Sequence, residues 1–217
     1  MKKEKLDIIY EDKNYIVVNK PAHLLTIATD KGTEPTLYHK VHDYVYKKNK
    51  NNKIFIVHRL DKDTSGVVLF TKNPKLKEEI QNNWDNYAEV REYYAVVEGR
   101  MSGSGKIVEY LLENKQHNVY ATKKGEGHIA ITNYEVVKVG RNYTLLKINI
   151  STGRKNQIRV GLANLGHPII GDKKYGSNVK YVNMLLHASK LTMFDPLSQK
   201  SHDYIAPMPK YFETYMQ

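Results

Sequence analysis

The stretch from Ile54 to Phe70, IFIVHRLDKDTSGVVLF, decides the fold. Two apolar runs, Ile54 to Val57 and Val67 to Phe70, enclose the polar segment His58 to Gly66, a pattern that predicts a loop held between two buried strands. Toward the N-terminus, Tyr15 to Asn19 is a β-branched run stopped by Lys20-Pro21 and followed by a loop to about Pro35. From Thr36, the apolar residues Leu37, Val41, Tyr44 and Val45 recur at helical spacing until the Lys- and Asn-rich stretch Lys47 to Lys53. Downstream, Pro74 opens a helix reaching about Trp84, and Glu89 to Glu98 returns to strand, rich in Tyr and Val. Ser102-Gly103-Ser104-Gly105 reads as a turn. Ile107 to Leu112, Ala130 to Val137 and Tyr143 to Ile150 follow as an antiparallel meander. A helix over Asn156 to Leu165 is stopped by Gly166 ahead of Pro168, and a last strand covers Met184 to Met193. Strands outnumber helices and do not alternate regularly with them. The expected class is therefore α+β, a largely antiparallel sheet with flanking helices. With no internal repeat and no Gly/Ser/Pro linker, one domain over residues 1–217 is expected.

Composition bounds what such a domain does. Of 217 residues, 41% are hydrophobic and 26% charged, enough apolar material for a core. No apolar run reaches the roughly 18–20 residues of a membrane span. Met1-Lys2-Lys3-Glu4-Lys5 leads into a polar, strand-like stretch instead of a signal-peptide core, so a soluble, unexported, cytoplasmic protein is expected. The absence of cysteine excludes disulfide scaffolds, thiolate zinc sites and thiol nucleophiles. Lys plus Arg is 34 against 23 for Asp plus Glu, a formal charge of +11 that favours a polyanionic partner. Only six of the basic residues are arginine, and three of those, Arg59, Arg154 and Arg159, sit in two motif-like stretches. A planar guanidinium makes forked contacts to carboxylates and phosphates that lysine cannot copy.

The segment His58-Arg59-Leu60-Asp61-Lys62-Asp63-Thr64-Ser65-Gly66 concentrates charge and hydroxyls, and several chemistries compete for it. A calcium loop starting at Asp61 needs a bidentate carboxylate at its twelfth position, which is Lys72. A serine nucleophile elbow needs glycine two residues either side of Ser65, where Asp63 and Val67 stand. Asp61 and Asp63 form an Asp-x-Asp pair of the kind that holds a metal in sugar-nucleotide transferases, though short acidic pairs are common in turns. Gly105-Lys106 lacks both the hydroxyl residue and the upstream glycine of a phosphate loop. Taken residue by residue, Arg159 reads as a loop-to-helix ion-pair partner, Tyr93 as strand packing and Arg59 as a partner for Asp63 or a phosphate.

His58-Arg59-Leu60-Asp61 with Lys62 to Gly66 and the following Val67 to Lys72 closely resembles the signature of RluA-type pseudouridine synthases. Tyr15-Ile16-Val17-Val18-Asn19-Lys20-Pro21-Ala22 is similar to that family's opening strand and turn, and Arg91 to Gly99 resembles its tyrosine motif. Thr152 to Val160 and Leu165-Gly166-His167-Pro168-Ile169-Ile170-Gly171-Asp172 resemble its third motif. The ordered matches run from about Tyr10 to Leu191. The chain departs from the pattern at Lys155-Asn156, where Thr-His is usual, at Gly161, where His is usual, and at Asp195-Pro196, where His-Pro is usual. These departures bear on RNA specificity and leave the presumed reactive carboxylate untouched. The expectation is a chain without the S4-like N-terminal RNA-binding module of some relatives.

The resemblance implies a pseudouridine synthase fold with a central catalytic cleft, and an isomerase that converts uridine to pseudouridine in ribosomal or transfer RNA. It breaks the glycosidic bond, rotates the uracil and rejoins it through C5. Asp61 matches the catalytic aspartate. Attack on C1′, attack on C6 and abstraction of a ribose proton all suit an ionised, oriented carboxylate. Arg159 matches the arginine that pairs with the aspartate and keeps it charged. Tyr93 matches the active-site tyrosine that stacks on uracil. Arg59 resembles the residue that occupies the space vacated by a flipped base, and Arg154, near a helix start, suits a phosphate contact, a helix cap or a core-edge role alike. His58, Thr64 and Ser65 are expected to brace the loop. No cofactor or metal is implied, the partner is RNA with no membrane, and a monomer is expected. Two other readings are a catalytically inactive RNA-binding protein of the same fold and a metal-dependent sugar-nucleotide transferase built on Asp61 and Asp63.

Overall fold

The structure is a computed structural model that describes residues 6–28, 34–179, 181 and 183–216. The loop expected from Lys20-Pro21 to about Pro35 lies partly outside the described residues. The chain forms two compact units, Met1–Glu89 with Ala188–Pro207 and Val90–His187 with Met208–Gln217.

In the first unit, β1 (Ile8–Glu11), β2 (Tyr15–Lys20), β3 (Phe55–Ile56) and β4 (Ser65–Thr71) precede β10 (Leu186–Asp195) and β11 (Lys200–Ile205). β1 pairs β2, β2 pairs β4 from Tyr15↔Thr71 to Lys20↔Gly66, β3 pairs β4, and β10 pairs β11, all antiparallel. Helix α1 (Leu37–Lys48) is capped by Thr36, whose hydroxyl accepts from His39 N. It lays Leu37, Val41 and Val45 against Ile16, Val18, Val68 and Phe70. α2 (Pro74–Asn82) starts at an Asn73 cap with proline in its first turn, and its Leu76 and Ile80 cover the other sheet face with Tyr15, Val17 and Leu69. β4 is therefore buried on both sides, which is why Val67 to Phe70 reads as a continuous apolar run. The helix expected to reach Trp84 breaks at Asn83, and a short α3 (Trp84–Tyr87) follows.

In the second unit, β5 (Ala88–Glu98, beginning in the first unit), β6 (Ser104–Glu113), β7 (Val119–Thr122), β8 (His128–Val139) and β9 (Tyr143–Ile150) lie in the order β5-β9-β8-β6-β7. The pairs β5·β9, β9·β8, β8·β6 and β6·β7 are antiparallel, as the meander required. The turn expected over residues 102–105 ends at Gly103, and Ser104 already belongs to β6. α4 (Gln157–Asn164) packs its Ile158 and Leu162 on Ala95, Leu146 and Ile148. A 3-10 helix (Lys210–Met216) adds Phe212 and Met216 to that core. The strand-like stretch after Lys5 forms β1, whereas strands β7 and β11 and the 3-10 helix were not foreseen. Among the described residues, no helix is long and apolar enough to cross a membrane.

One ionic cluster ties β1 of the first unit to α1 and β4. The Glu11 carboxylate accepts from Lys48 Nζ at 2.8 Å, Lys72 Nζ at 2.9 Å and Tyr44 Oη at 2.9 Å. Burial alone would raise the Glu11 carboxyl, but these three donors outweigh it and hold it at about 2. A carboxylate whose pKa is depressed by folding stabilises the fold fully above its ordinary value near 4.5, and the contribution is lost as pH falls toward 2. Glu11→Gln should therefore cost roughly 2 kcal/mol in urea unfolding at pH 7. The difference from the parent protein should shrink between pH 4.5 and 2. Equal stability of the two at pH 7 would show that the cluster is only a surface contact.

Candidate active site

The loop between β3 and β4 carries four of the residues singled out above, His58, Arg59, Asp61 and Thr64, and the fifth, Ser65, opens β4. The loop is held mainly through its backbone. Leu60 N donates to Thr26 Oγ1 and Leu60 O accepts from it, at 3.2 and 2.8 Å. Thr64 N donates to Asp61 O at 3.2 Å and closes a turn around Lys62-Asp63. His58 Nε2 accepts from Leu69 N at 3.0 Å, and its ring stacks on Trp84 with centroids 4.7 Å apart. That acceptor role places the proton of the neutral ring on Nδ1. Thr64 and Ser65 are buried, while Asp61 is half-buried and Arg59 exposed. Among the described residues, no ion pair or hydrogen bond engages the Arg59 head group, and Asp63 meets His23 Nδ1 at 3.0 Å instead.

The central brace was not foreseen. Lys20, at the end of β2, is completely buried, and its ammonium donates to Leu24 O at 2.7 Å and to Pro21 O and Lys62 O at 3.0 Å. Three N–H groups meet three carbonyls, so the charge is solvated by peptide dipoles in place of water. Burial pushes this ammonium down to about 8, against the attraction of Asp63 and Asp61. At the far end of the loop Gly66 adopts φ +117°, and a Cβ there would overlap the Ala188 carbonyl of β10. Only glycine lets β4 begin so close to the neighbouring backbone.

Tyr93, Arg154 and Arg159 lie in the second unit. Tyr93 is half-buried on β5, opposite Ile148 of β9. Asn156, at φ +54°, precedes α4. Gln157, the first residue of the helix, is the local hub. Its Oε1 accepts from Thr152 Oγ1 and Arg154 N at 2.7 and 3.1 Å, while its Nε2 donates to Ile131 O and Thr132 Oγ1 at 3.0 and 2.9 Å. Every hydrogen-bonding position of this buried amide is used, which fixes where α4 starts.

Two turns of bonding follow from that start. Arg159 is buried and forks onto Asp172, Nε to Oδ2 at 2.7 Å and Nη2 to Oδ1 at 2.8 Å, while Nη1 reaches Asn156 Oδ1 at 3.0 Å. Its guanidinium lies 5.0 Å from the Tyr175 ring centroid, and Asn156 Nδ2 donates to the Tyr175 hydroxyl. The arginine plane is thereby fixed in its own unit. Arg154 is exposed, with Nε donating to Ile129 O at 3.2 Å.

The departures from the family pattern have local partners. Asn156 supplies the link between Arg159 and Tyr175, and Lys155 pairs with Glu113. At Gly161 a Cβ would sit 3.2 Å from Ile107, so α4 lies close to β6. Asp195 accepts from the Tyr15 hydroxyl and from Leu197 N and Ser198 N, closing the β10–β11 turn. Lys20, Gln157 and Asp172 were not assigned roles from sequence. The available signal was a lone lysine ending an apolar strand and an aspartate ending a quoted motif.

Comparison with known proteins identifies the family of the chain. Residues 14–164 match the family model described as RNA pseudouridylate synthase. The chain is 31% identical over 208 residues to the uncharacterized RNA pseudouridine synthase YhcT of Bacillus subtilis, covering 94% of this chain and 69% of that protein. It is 30% identical over 220 residues to ribosomal large subunit pseudouridine synthase D of Escherichia coli, covering 94% of this chain and 68% of the relative. Among solved structures, human RNA pseudouridylate synthase domain containing 4 has the same fold, with a TM-score of 0.79 at 20% identity over 95% of this chain and 90% of that one. The acidic loop, the tyrosine strand and the arginine helix thus fall in a chain that belongs to the RNA pseudouridylate synthase family, isomerases that convert uridine to pseudouridine in RNA.

Proposed function

We propose that the chain isomerises uridine in ribosomal or transfer RNA, as one catalytic domain, a monomer, in the cytoplasm and without a cofactor. The observation that supports this most is the bracing around Asp61, with Leu60, Lys62 and Thr64 all held through the backbone. A carboxylate on a fixed loop keeps its orientation while the N1–C1′ bond breaks and the C5–C1′ bond forms, and that orientation is what catalysis needs. In the same reaction C5 loses a proton to solvent and N1 regains one, so the product is an isomer of the substrate.

In this reading Asp61 is the reactive carboxylate, Tyr93 stacks on the uracil, and Arg159, held by Asp172, stabilises the negative charge. Arg59, whose exposed head group has no ion pair among the described residues, fills the space of the flipped base, and Arg154 meets phosphate. The inactive RNA-binding alternative is disfavoured by the cost of keeping such a loop. A buried ammonium that braces an acidic segment is an expensive feature for a protein that only binds.

Asp61→Asn should abolish tritium release from RNA labelled at C5 of uridine, while filter binding of the same RNA stays within about twofold, because the basic surface is unchanged. Arg159→Ala should lower release at least about a hundredfold. Wild-type turnover in Asp61→Asn would overturn the assignment.

A second expectation concerns pH. Below about 8 Lys20 keeps its third N–H, and above that value one of its three carbonyls loses a donor. kcat should therefore fall as pH rises through 8, with KM for RNA little changed. Lys20→Met should lower kcat at pH 7 by about tenfold or more. A wild-type rate in that variant, measured by the same release assay, would show that the loop stands without its brace.

A further inference from the structure

We infer that the open face of the β7-β6-β8 sheet is a second RNA-binding surface that takes an unpaired strand flanking the modified uridine. This rests on the reading of the chain as an RNA-modifying enzyme, and it concerns residues given no part in the chemistry.

One face of this sheet is committed to the core. Ile107 packs in the main cluster of the unit, and Leu111, Val119 and Ala130 bury against Val160 of α4. Side chains alternate along a strand, so Val108, Tyr110 and Leu112 of β6 point the other way, as do Tyr120 of β7 and Ile129 and Ile131 of β8. The register brings them together: Val108 opposite Ile131, Tyr110 opposite Ile129, and Leu112 opposite Tyr120. Three of the six lie open to solvent, and Tyr110, Leu112 and Ile131 are half-buried. Val108 is 50% exposed, Tyr120 46% and Ile129 38%. An antiparallel sheet with one face on a core ordinarily turns polar residues to water on the other. Here six contiguous positions break that rule, which marks an interaction surface.

The rim identifies the occupant. Lys106 lies on the same face beside Val108, Lys123 and Lys124 follow β7, and Arg154 bonds to the carbonyl of Ile129 itself. Lys106 also opens onto a shallow groove of about 460 Å³ whose lining includes Asn133, Glu135, Lys147 and Asn149. Of the carboxylates nearby, Glu126 accepts from Thr122 and Glu92 pairs with Lys147 at 2.9 Å, while Glu135 stands exposed at the groove, apart from the tyrosines. A second copy of the chain docking symmetrically would set like charges against each other. A single strand of RNA meets both features, since its phosphates follow the basic rim and its bases stack on Tyr110 and Tyr120. Duplex RNA keeps its bases stacked inside and has no use for two exposed rings.

The test uses fluorescence anisotropy with a labelled oligoadenylate of about a dozen nucleotides, which contains no uridine and so is blind to turnover. The full-length protein should bind it. Tyr110→Ala with Tyr120→Ala should weaken binding at least about tenfold, whereas Tyr120→Phe and Asp61→Asn should bind as the parent does. Tyr120→Ala alone, on an edge strand and half exposed, guards against misfolding and should weaken binding by about threefold or more. Lys123→Ala with Lys124→Ala should reduce the slope of log affinity against log salt by about 1.4. Parent-like affinity in both tyrosine variants overturns the inference, as does a parent protein that does not bind the oligonucleotide. A parent that sediments as a dimer and becomes monomeric in the double variant also overturns it, assigning the face to self-association. Tritium release from uridine-labelled RNA, measured in parallel, separates the two proposals. Release with tyrosine-independent binding removes only this surface, and tyrosine-dependent binding without release removes only the catalytic reading.

Discussion

The buried ammonium of Lys20 sets a condition that the surrounding loops must meet. A cation cannot stay in an apolar interior unless every N–H finds an acceptor, so the backbone at Pro21, Leu24 and Lys62 has to present its carbonyls to one point. Those residues belong to two loops separated in sequence and joined by this one atom. The turn closed by Thr64 on Asp61 and the anchoring of Leu60 by Thr26 then leave the acidic segment little conformational choice. The loop's order is obtained in large part through main-chain hydrogen bonds, with the His58 side chain tied to Leu69 N and stacked on Trp84.

The second unit solves the equivalent problem with an amide. Gln157 satisfies four hydrogen bonds, and two of its partners, Ile131 O and Thr132 Oγ1, lie on β8. This sets the start of α4, and the start of α4 sets the direction in which Arg159 leaves the helix. Asp172 then takes two guanidinium donors and Asn156 a third. Lys155-Asn156 departs from the family pattern without leaving a vacancy, because the asparagine has partners of its own on either side.

How far this was legible depended on whether a residue's partners were near it in sequence. The acidic loop could be placed because the apolar runs on both sides of it are visible as composition, and α1 because Leu37, Val41 and Val45 share a helical face. Asp61, Tyr93 and Arg159 came from motif resemblance, and no local pattern distinguished them from packing or ion pairing. Lys20 escaped notice because its decisive acceptor, Lys62 O, is 42 residues away. Gln157 depends on a carbonyl 26 residues away. Strands β7 and β11 were missed for another reason. Val119–Thr122 and Lys200–Ile205 each have a single buried residue, Val119 and Tyr204, so neither presents an apolar run.

Gly66 places a constraint on the order of synthesis. Its close approach is to Ala188, and the core behind β4 includes Leu191, Met193, Tyr204 and Ala206 as well as Tyr15 and Val17. The first unit is thus assembled from two separate stretches, Met1–Glu89 and Ala188–Pro207, with the whole of β6 to α4 translated in between. A ribosome releasing this polypeptide exposes the acidic loop long before the strand against which Gly66 packs has been made. Contacts of such long sequence separation form late. The nascent protein therefore carries this loop in an unfinished unit until β10 and β11 have emerged, and the packing around Gly66 is completed only then.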